Sequence, residues 1–255
     1  MYRTLKEKVE GVYLLHSRFT RRDRAEKERR IIGSLRDTDN TEVRVLVATQ
    51  VVEVSLDISF DTLYTEIAPV DDLLQRFGRV NRYGEHPAGV EVHVATKYDK
   101  RLHNVYGKER LEATLNCGPA DNAELPYVVC SQWVKRVYKG WTKSEERRFS
   151  KAMRGLEELC RDLKPLTALS EEDEHDLESY LSQTIEVLPK CLEDTFNQYW
   201  NNGEYLLAFQ LLAPVPFWVW KELPKKTKKI GNGQEISITD TAYDSEEGLK
   251  IEIGE

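Results

Sequence analysis

Residues 75–82 read QRFGRVNR, and four of them could act on a phosphate: Gln75, Gly78, Arg79 and Arg82. Arginine carries a permanent charge on a planar fork that suits phosphate oxygens. Arg79 and Arg82 lie three apart, so on a helix they share a face. Beside a phosphoryl group in transfer, an arginine of this kind is worth about 10³–10⁵ in rate, or roughly 4–7 kcal/mol of barrier. Gly78 lets backbone approach closely, and Gln75 can orient a water or a phosphate oxygen. An isolated pair of arginines three apart is commonly a solvated helix face paired with surface carboxylates. The full Q-x-x-G-R-x-x-R spacing after a β-rich segment is much rarer by chance.

The elements that must position these groups alternate over the first hundred residues. GVYLLHS, EVRVLVAT, DTLYTEI and GVEVHVAT read as short strands, with RRDRAEKERRIIGSL and VDDLLQRFGRV as helices between them. Strands alternating with helices imply βαβ units and a parallel sheet. Function in such sheets gathers in the loops beyond the strands' carboxyl ends. Three polar clusters are expected there: HSRF at 16–19, TQVVEVSLD at 49–57, and 75–82. The pattern changes near residue 100. Asp99 to about Leu181 reads as mainly helical, interrupted at 116–126 and 164–167. A strand over TIEVLP, a helix over LEDTFNQYWNNGEYLLAFQLL, a strand over VPFWVWKEL and a hairpin turning at Asn232-Gly233 complete an α+β unit.

The chain has 255 residues, enough for one large domain or two modest ones. Hydrophobic residues make up 40% and charged residues 32%, as in a globular protein, and the 12 Tyr and 5 Trp argue against disorder. No apolar run approaches the roughly 20 residues a membrane span needs, so no membrane partner is expected. Cys117, Cys130, Cys160 and Cys191 are widely spaced, which argues against a zinc site or disulfide framework and makes a reducing cytoplasm the expected compartment. Residues 1–100 carry 17 basic and 17 acidic side chains, so the net charge of −7 resides in 101–255. General electrostatic attraction to nucleic acid is therefore weak, and any binding is expected to use a local track or help from other surfaces.

QRFGRVNR resembles motif VI of superfamily 2 helicases. VLVATQVVEVSLDIS (45–59) resembles their motif V, YLLHSRF (13–19) their motif IV, and the three occur in family order. The wording is most similar to the CRISPR-associated helicase-nuclease of type I interference systems, and AYDSEEGL (242–249) resembles that family's last segment. The likeness is specific over 12–96 and loose over 100–255. It implies an α/β fold: a second RecA-like lobe with a parallel sheet and flanking helices at 1–100, then a helical linker and an accessory α+β C-terminal domain at 101–255. It implies ATP-driven 3′-to-5′ translocation on single-stranded DNA. Position by position, Arg79 and Arg82 face the γ-phosphate, and Gln75 contacts the phosphates or the attacking water. Asp57 contacts the ribose or links to motif VI, and Gly78 lies against the nucleotide. Thr49 gives its hydroxyl to a nucleic-acid phosphate with Gln50 beside it, and Ser17 and Arg18 touch the strand backbone. His16 reads equally as a packing residue or a ligand, and Arg18 could instead pair with an acid.

These motifs make one half of a two-lobed motor. No Walker A sequence GxxxxGK[ST] is present; GKERL at 107–111 lacks the Ser/Thr. DEHD at 173–176 mimics an acidic motif II, but it lies downstream in an acidic stretch that reads as a solvated helix start capped by Ser170. His175-Asp176 mimics a metal-dependent HD dyad without the further ligands that chemistry needs. No metal ligands and no nuclease are assigned here. ATP and Mg²⁺ are expected to be held mainly by the missing first lobe, so the chain alone should not hydrolyse ATP. The implied partners are single-stranded DNA, an N-terminal helicase lobe and HD nuclease domain on the same or a separate chain, and the crRNA-guided surveillance complex. Two alternatives keep the same residues: half of another superfamily 2 helicase acting on RNA or in repair, and a non-hydrolysing fragment that binds nucleic acid or a partner.

Overall fold

A computed structural model describes residues 1–36, 42–54, 56–162, 184–230 and 234–251. The chain divides into two compact units, 1–56 with 174–255, and 57–173.

In the first unit, α1 (Tyr2–Lys6) leads to β1 (Val12–Leu15), α2 (Arg21–Arg36), β2 (Val45–Ala48) and the short α3 (Val51–Val54). β1 and β2 pair in parallel, from Val12 opposite Val45 to Leu15 opposite Ala48. The connection is the charged stretch expected to be helical. Its buried side includes Ile31, and Ser34 Oγ accepts from Val43 N at 2.8 Å. Both loops that follow β1 and β2 therefore leave from one end of the pair. The rest of this unit comes from the far end of the sequence. β5 (Thr184–Pro189), β6 (Ala213–Pro216), β7 (Lys225–Ile230) and β8 (Gln234–Thr239) form a four-stranded sheet in the order β6-β5-β8-β7. β5 and β8 run parallel, and the outer pairs are antiparallel. Leu188, Phe196, Leu211, Leu212, Ile236 and Ile238 pack into one cluster. Val187, Val215, Val219 and Leu249 make another. Arg21 N donates to Leu212 O (3.1 Å) and Arg22 N to Gln210 O (2.9 Å), so the start of α2 is tied to this late segment.

The second unit holds β3 (Leu63–Glu66), α4 (Val70–Phe77), β4 (Val92–Ala95), α5 (Leu102–Tyr106), α6 (Lys108–Asn116), α7 (Tyr127–Val137) and α8 (Lys143–Asp162). β3 and β4 pair in parallel. Ile67, Ala68, Val70, Leu73, Leu111, Trp133 and Val137 form its core. Arg110 fastens the helices. It lies over the Tyr138 ring at 4.3 Å, donates to Val137 O and Gly140 O, and grips both Glu145 oxygens at 2.7 and 2.5 Å. Glu145 in turn accepts from Thr142 N, while Thr142 Oγ1 accepts from Glu145 N, a capping box at the start of α8.

The mixed α/β class expected from the alternating pattern is present. Among the described residues of the first hundred, the parallel pairs are β1–β2 in the first unit and β3–β4 in the second, each a two-stranded ladder. Two late elements differ from expectation. VPFWVWKEL, read as a strand, is strand only to Pro216; Phe217–Glu222 is helix α11. Aromatic and β-branched residues favour strands, but here Val219 is buried among Val187, Val215 and Leu249, and this packing decides the conformation. The helix expected over 192–212 is two, α9 (Glu193–Asn201) and α10 (Tyr205–Phe209), because Gly203 adopts φ +79 and ends the first. β7 and β8 make the expected hairpin, with Ile230 opposite Gln234; its Asn232-Gly233 turn lies outside the described residues, as do 164–167, Ser170 and the DEHD stretch.

The Arg110 grip, helped by Thr142, holds the Glu145 carboxyl down at about 2. A carboxyl lowered in the folded state stabilises above its ordinary pKa, 4.5, and loses that contribution as pH falls toward 2. Thermal melts between pH 5 and pH 3 should show a smaller drop in Tm for Glu145→Gln than for the unmodified chain. Arg110→Ala, which strands a carboxylate against the core, should cost about 3 kcal/mol in denaturant unfolding at pH 7.

Candidate nucleotide- and nucleic-acid-facing sites

The QRFGRVNR stretch lies in the second unit. α4 begins after Pro69 with Asp71 and Asp72 in its first turn, where carboxylates complement the helix dipole. Val70 and Leu73 anchor it in the core. The helix stops at Phe77, with Gly78 as its C-cap. Arg79 and Arg82 are thus not on the helix, as the spacing suggested. They lie in a segment spliced to the residues that enter β3. Phe60 N donates to Arg79 O at 2.9 Å, and Asn81 N to Phe60 O at 3.0 Å. Phe60 and Val80 form a parallel bridge. Asn81 takes φ +46, a left-handed conformation that asparagine tolerates. The stretch therefore sits beside the entry to β3, not beyond a strand's carboxyl end.

This splice brings Asp57 to Arg82. Arg82 Nε lies 2.8 Å from Asp57 Oδ1, the Arg82 amide donates to Ser59 Oγ at 3.0 Å, and Nη1 donates to Gly78 O at 3.2 Å. The Arg82 and Asp57 side chains are 39% and 54% exposed. An ion pair this wet contributes at most about 1 kcal/mol. It orients the fork without holding it against a better anion. Arg79 is half-buried, and Gln75 is exposed on α4. A Cβ at Gly78 would meet only ordinary contacts, at 3.4 Å to Gln75 O and 3.5 Å to Leu74 O, so packing inside this unit does not demand the glycine. Arg76, unremarked in the sequence, is structural. It donates to Thr65 Oγ1 (2.8 Å), Glu66 O (3.2 Å) and Tyr106 OH (2.7 Å), which joins α4 to β3 and α5. Ser59 was also missed. The only sequence signal for it was its place at the end of the motif V stretch.

The residues expected at nucleic acid lie in the first unit. Ser17 and Arg18 follow β1, and Thr49 and Gln50 follow its parallel neighbour β2. Thr49 N donates to Leu15 O at 3.2 Å, which brings the two loop origins together. Ser17, Thr49 and Gln50 are exposed. Arg18 is half-buried. Burial lowers its guanidinium from its ordinary pKa, and among the described residues that group has no carboxylate partner. His16 is a packing and hydrogen-bonding residue. Its ring stacks on Phe19 at 4.4 Å, Nδ1 accepts from Arg18 N at 3.1 Å, and Nε2 meets Glu247 O at 3.0 Å. Among the described residues no group of three or more His, Cys, Asp and Glu could hold a metal ion, and no helix is long and apolar enough to cross a membrane.

This mixed α/β architecture, with two arginine-bearing sites, is of a class that known proteins share. Residues 1–85 match the family model for the CRISPR-associated nuclease/helicase Cas3, C-terminal. The CRISPR-associated endonuclease/helicase Cas3 of Escherichia coli K12 is 51% identical over 86 residues, 32% of this chain and 10% of that protein. A crystal structure of T. fusca Cas3 with AMPPNP aligns over 97% of this chain and 37% of its own, with a TM-score of 0.64 at 19% identity. A chain from a CRISPR RNA-guided surveillance complex in a pre-nicking state aligns over 97% of this chain and 36% of its own, with a TM-score of 0.55 at 23% identity. At these identities the structural likeness is one of fold. The two sequence matches make residues 1–85 similar to the C-terminal part of a Cas3 helicase-nuclease. The chain spans about a tenth of the length of the E. coli relative.

The two kinds of arginine in QRFGRVNR should separate by stability. Arg76→Ala removes bonds to two side chains and a carbonyl and should lower unfolding free energy by about 1.5–3 kcal/mol. Arg82→Ala should change it by less than about 1 kcal/mol. Chemical denaturation of the two variants measures the contrast.

Proposed function

We propose that this chain is the C-terminal motor half of an ATP-dependent superfamily 2 helicase that translocates on single-stranded DNA in CRISPR interference. Residues 1–100 serve as the second RecA-like lobe and 101–255 as linker and accessory domain. The observation that carries this reading is the stationing of Arg82, set by Asp57 and Ser59 in a wet, weakly bound pose. A fork kept in place by less than about 1 kcal/mol exchanges readily for a phosphate, where paired charge-assisted bonds are stronger.

In this reading Arg79 and Arg82 neutralise charge that develops on the γ-phosphate of ATP, and Gln75 orients the attacking water or a phosphate oxygen. Asp57 contacts the ribose or, through Arg82, links to motif VI, and Gly78 leaves room for the nucleotide. ATP bound with Mg²⁺ supplies the phosphoryl group and the energy of its transfer. The first lobe holds most of it, since the sequence has no phosphate loop. Ser17, Arg18, Thr49 and Gln50 line a track for strand phosphates, a contact that needs hydroxyls and cations but no base reading. The match of residues 1–85 to the Cas3 C-terminal family and the nucleotide-bound fold neighbour support the nucleotide role. The neighbour within a surveillance complex supports the crRNA-guided complex as partner. The HD nuclease domain is a further partner, on the same chain or a separate one.

The chain alone is expected to show no ATPase activity. Mixed with an N-terminal lobe that carries a Walker A loop, it should hydrolyse ATP in the presence of single-stranded DNA. Arg82→Ala should reduce that rate by about 10³-fold or more. Unchanged hydrolysis in the variant would count against the finger assignment, and hydrolysis by the chain alone would count against the split site.

A further inference from the structure

The Arg18 loop is held by a segment more than two hundred residues away in sequence. β9 (Tyr243–Asp244) and β10 (Gly248–Leu249) pair antiparallel, and the turn they form lies against residues 16–20. Leu249 N donates to Arg18 O at 3.0 Å. Glu247 O accepts from His16 Nε2 at 3.0 Å, and Nδ1 of the same ring accepts from Arg18 N at 3.1 Å. Both backbone polar atoms of Arg18 are thus committed, one to the late segment and one to a ring that this segment holds. The two bonds fix the imidazole in its Nε2–H form, and burial lowers its pKa and keeps it neutral. At the loop's other end, Tyr243 OH accepts from Thr20 N at 3.2 Å and donates to Asp23. Gly248 permits the approach. It has φ +73, and a Cβ there would fall 2.8 Å from both Arg18 O and His16 Cε1.

The segment is itself anchored. Arg3 Nε and Nη2 bind Glu247 at 2.7 and 2.6 Å, Lys6 pairs with Glu246, and Lys250 lies 2.8 Å from Asp244 and 3.3 Å from Glu247. These bonds draw the Glu247 carboxyl down to about 2. A tether fastened to α1 on one side and to the Arg18 backbone on the other leaves the arginine only its side-chain freedom. That guanidinium is half-buried and without a carboxylate partner among the described residues.

We infer that Tyr243, Glu247 and Gly248 are positioning residues: the strap they form presets the Arg18 loop to receive a nucleic-acid phosphate. The inference rests on the proposed phosphate role of Arg18 and adds the device that aims it. Preset donors bind more tightly because less motion is lost on binding.

The test is fluorescence anisotropy of a labelled oligothymidylate titrated with the full chain at low salt, with a thermal melt of each variant. Arg18→Ala should weaken binding about tenfold, the loss of one charge-assisted hydrogen bond. Gly248→Ala should weaken it about threefold to tenfold. Arg18→Ala/Gly248→Ala together should bind no worse than Arg18→Ala alone, because the strap acts through that side chain. Tyr243→Phe, which keeps the ring and loses the hydroxyl bonds, should show a smaller effect with the same lack of additivity, and it decides the matter if Gly248→Ala does not fold. An unmodified chain that does not bind, or an Arg18→Ala variant that binds normally, overturns the phosphate reading and the strap with it. Weakening by Arg18→Ala while both strap variants bind normally overturns the strap alone. Strap and Arg18 effects that multiply overturn it too, because the strap then acts elsewhere.

Discussion

A guanidinium can be held firmly or kept available for a ligand, and the difference lies in how much water and how good a partner it keeps. Four arginines in this chain mark the range. Arg110 is nearly buried, grips Glu145 with two bonds and stacks on Tyr138. Removing it leaves a stranded carboxylate, so its role is to hold helices together. Arg76 is committed to a hydroxyl, a phenol and a carbonyl, also in the service of packing. Arg82 has a carboxylate close by, but both groups are wet, so the pairing is shallow. Arg18 has lost water without gaining a carboxylate among the described residues. The last two are the groups for which an incoming anion changes the energy most.

Nearly all of what could be read in the sequence came from local rules. The strand runs at 12–15, 45–48, 63–66 and 92–95 and the charged helix at 21–36 were visible because apolar runs and polar spacing are decided within a few residues. Asp57, Arg79 and Arg82 stood out because their residue types and order carry the family resemblance. How Arg79 and Arg82 are presented was not visible. Spacing alone put them on one helix face, whereas the helix ends at Phe77 and the arginines are set by a bridge between Val80 and Phe60. That bridge is a pairing across twenty residues, which no helical periodicity reports.

The second half was harder for the same reason. Phe217–Glu222 has the composition of a strand and is a helix because of what surrounds Val219. The role of Gly248 could not be read at all, since a glycine near a turn is commonplace. Only its 2.8 Å approach to Arg18 O and His16 shows that no other residue fits. The resemblance of AYDSEEGL to a family segment marked the place without saying what it touches.

The bond from His16 to Glu247 spans 231 positions. A ribosome adding about 5–20 residues per second reaches the second partner on the order of ten seconds or more after the first has been made. During that interval the loop after β1 exists without the contacts that fix it, and the nascent chain carries an unfinished cation among exposed apolar strands. Assembly of this region therefore cannot precede synthesis of the later segment, and that interval is set by the polymerisation of the chain.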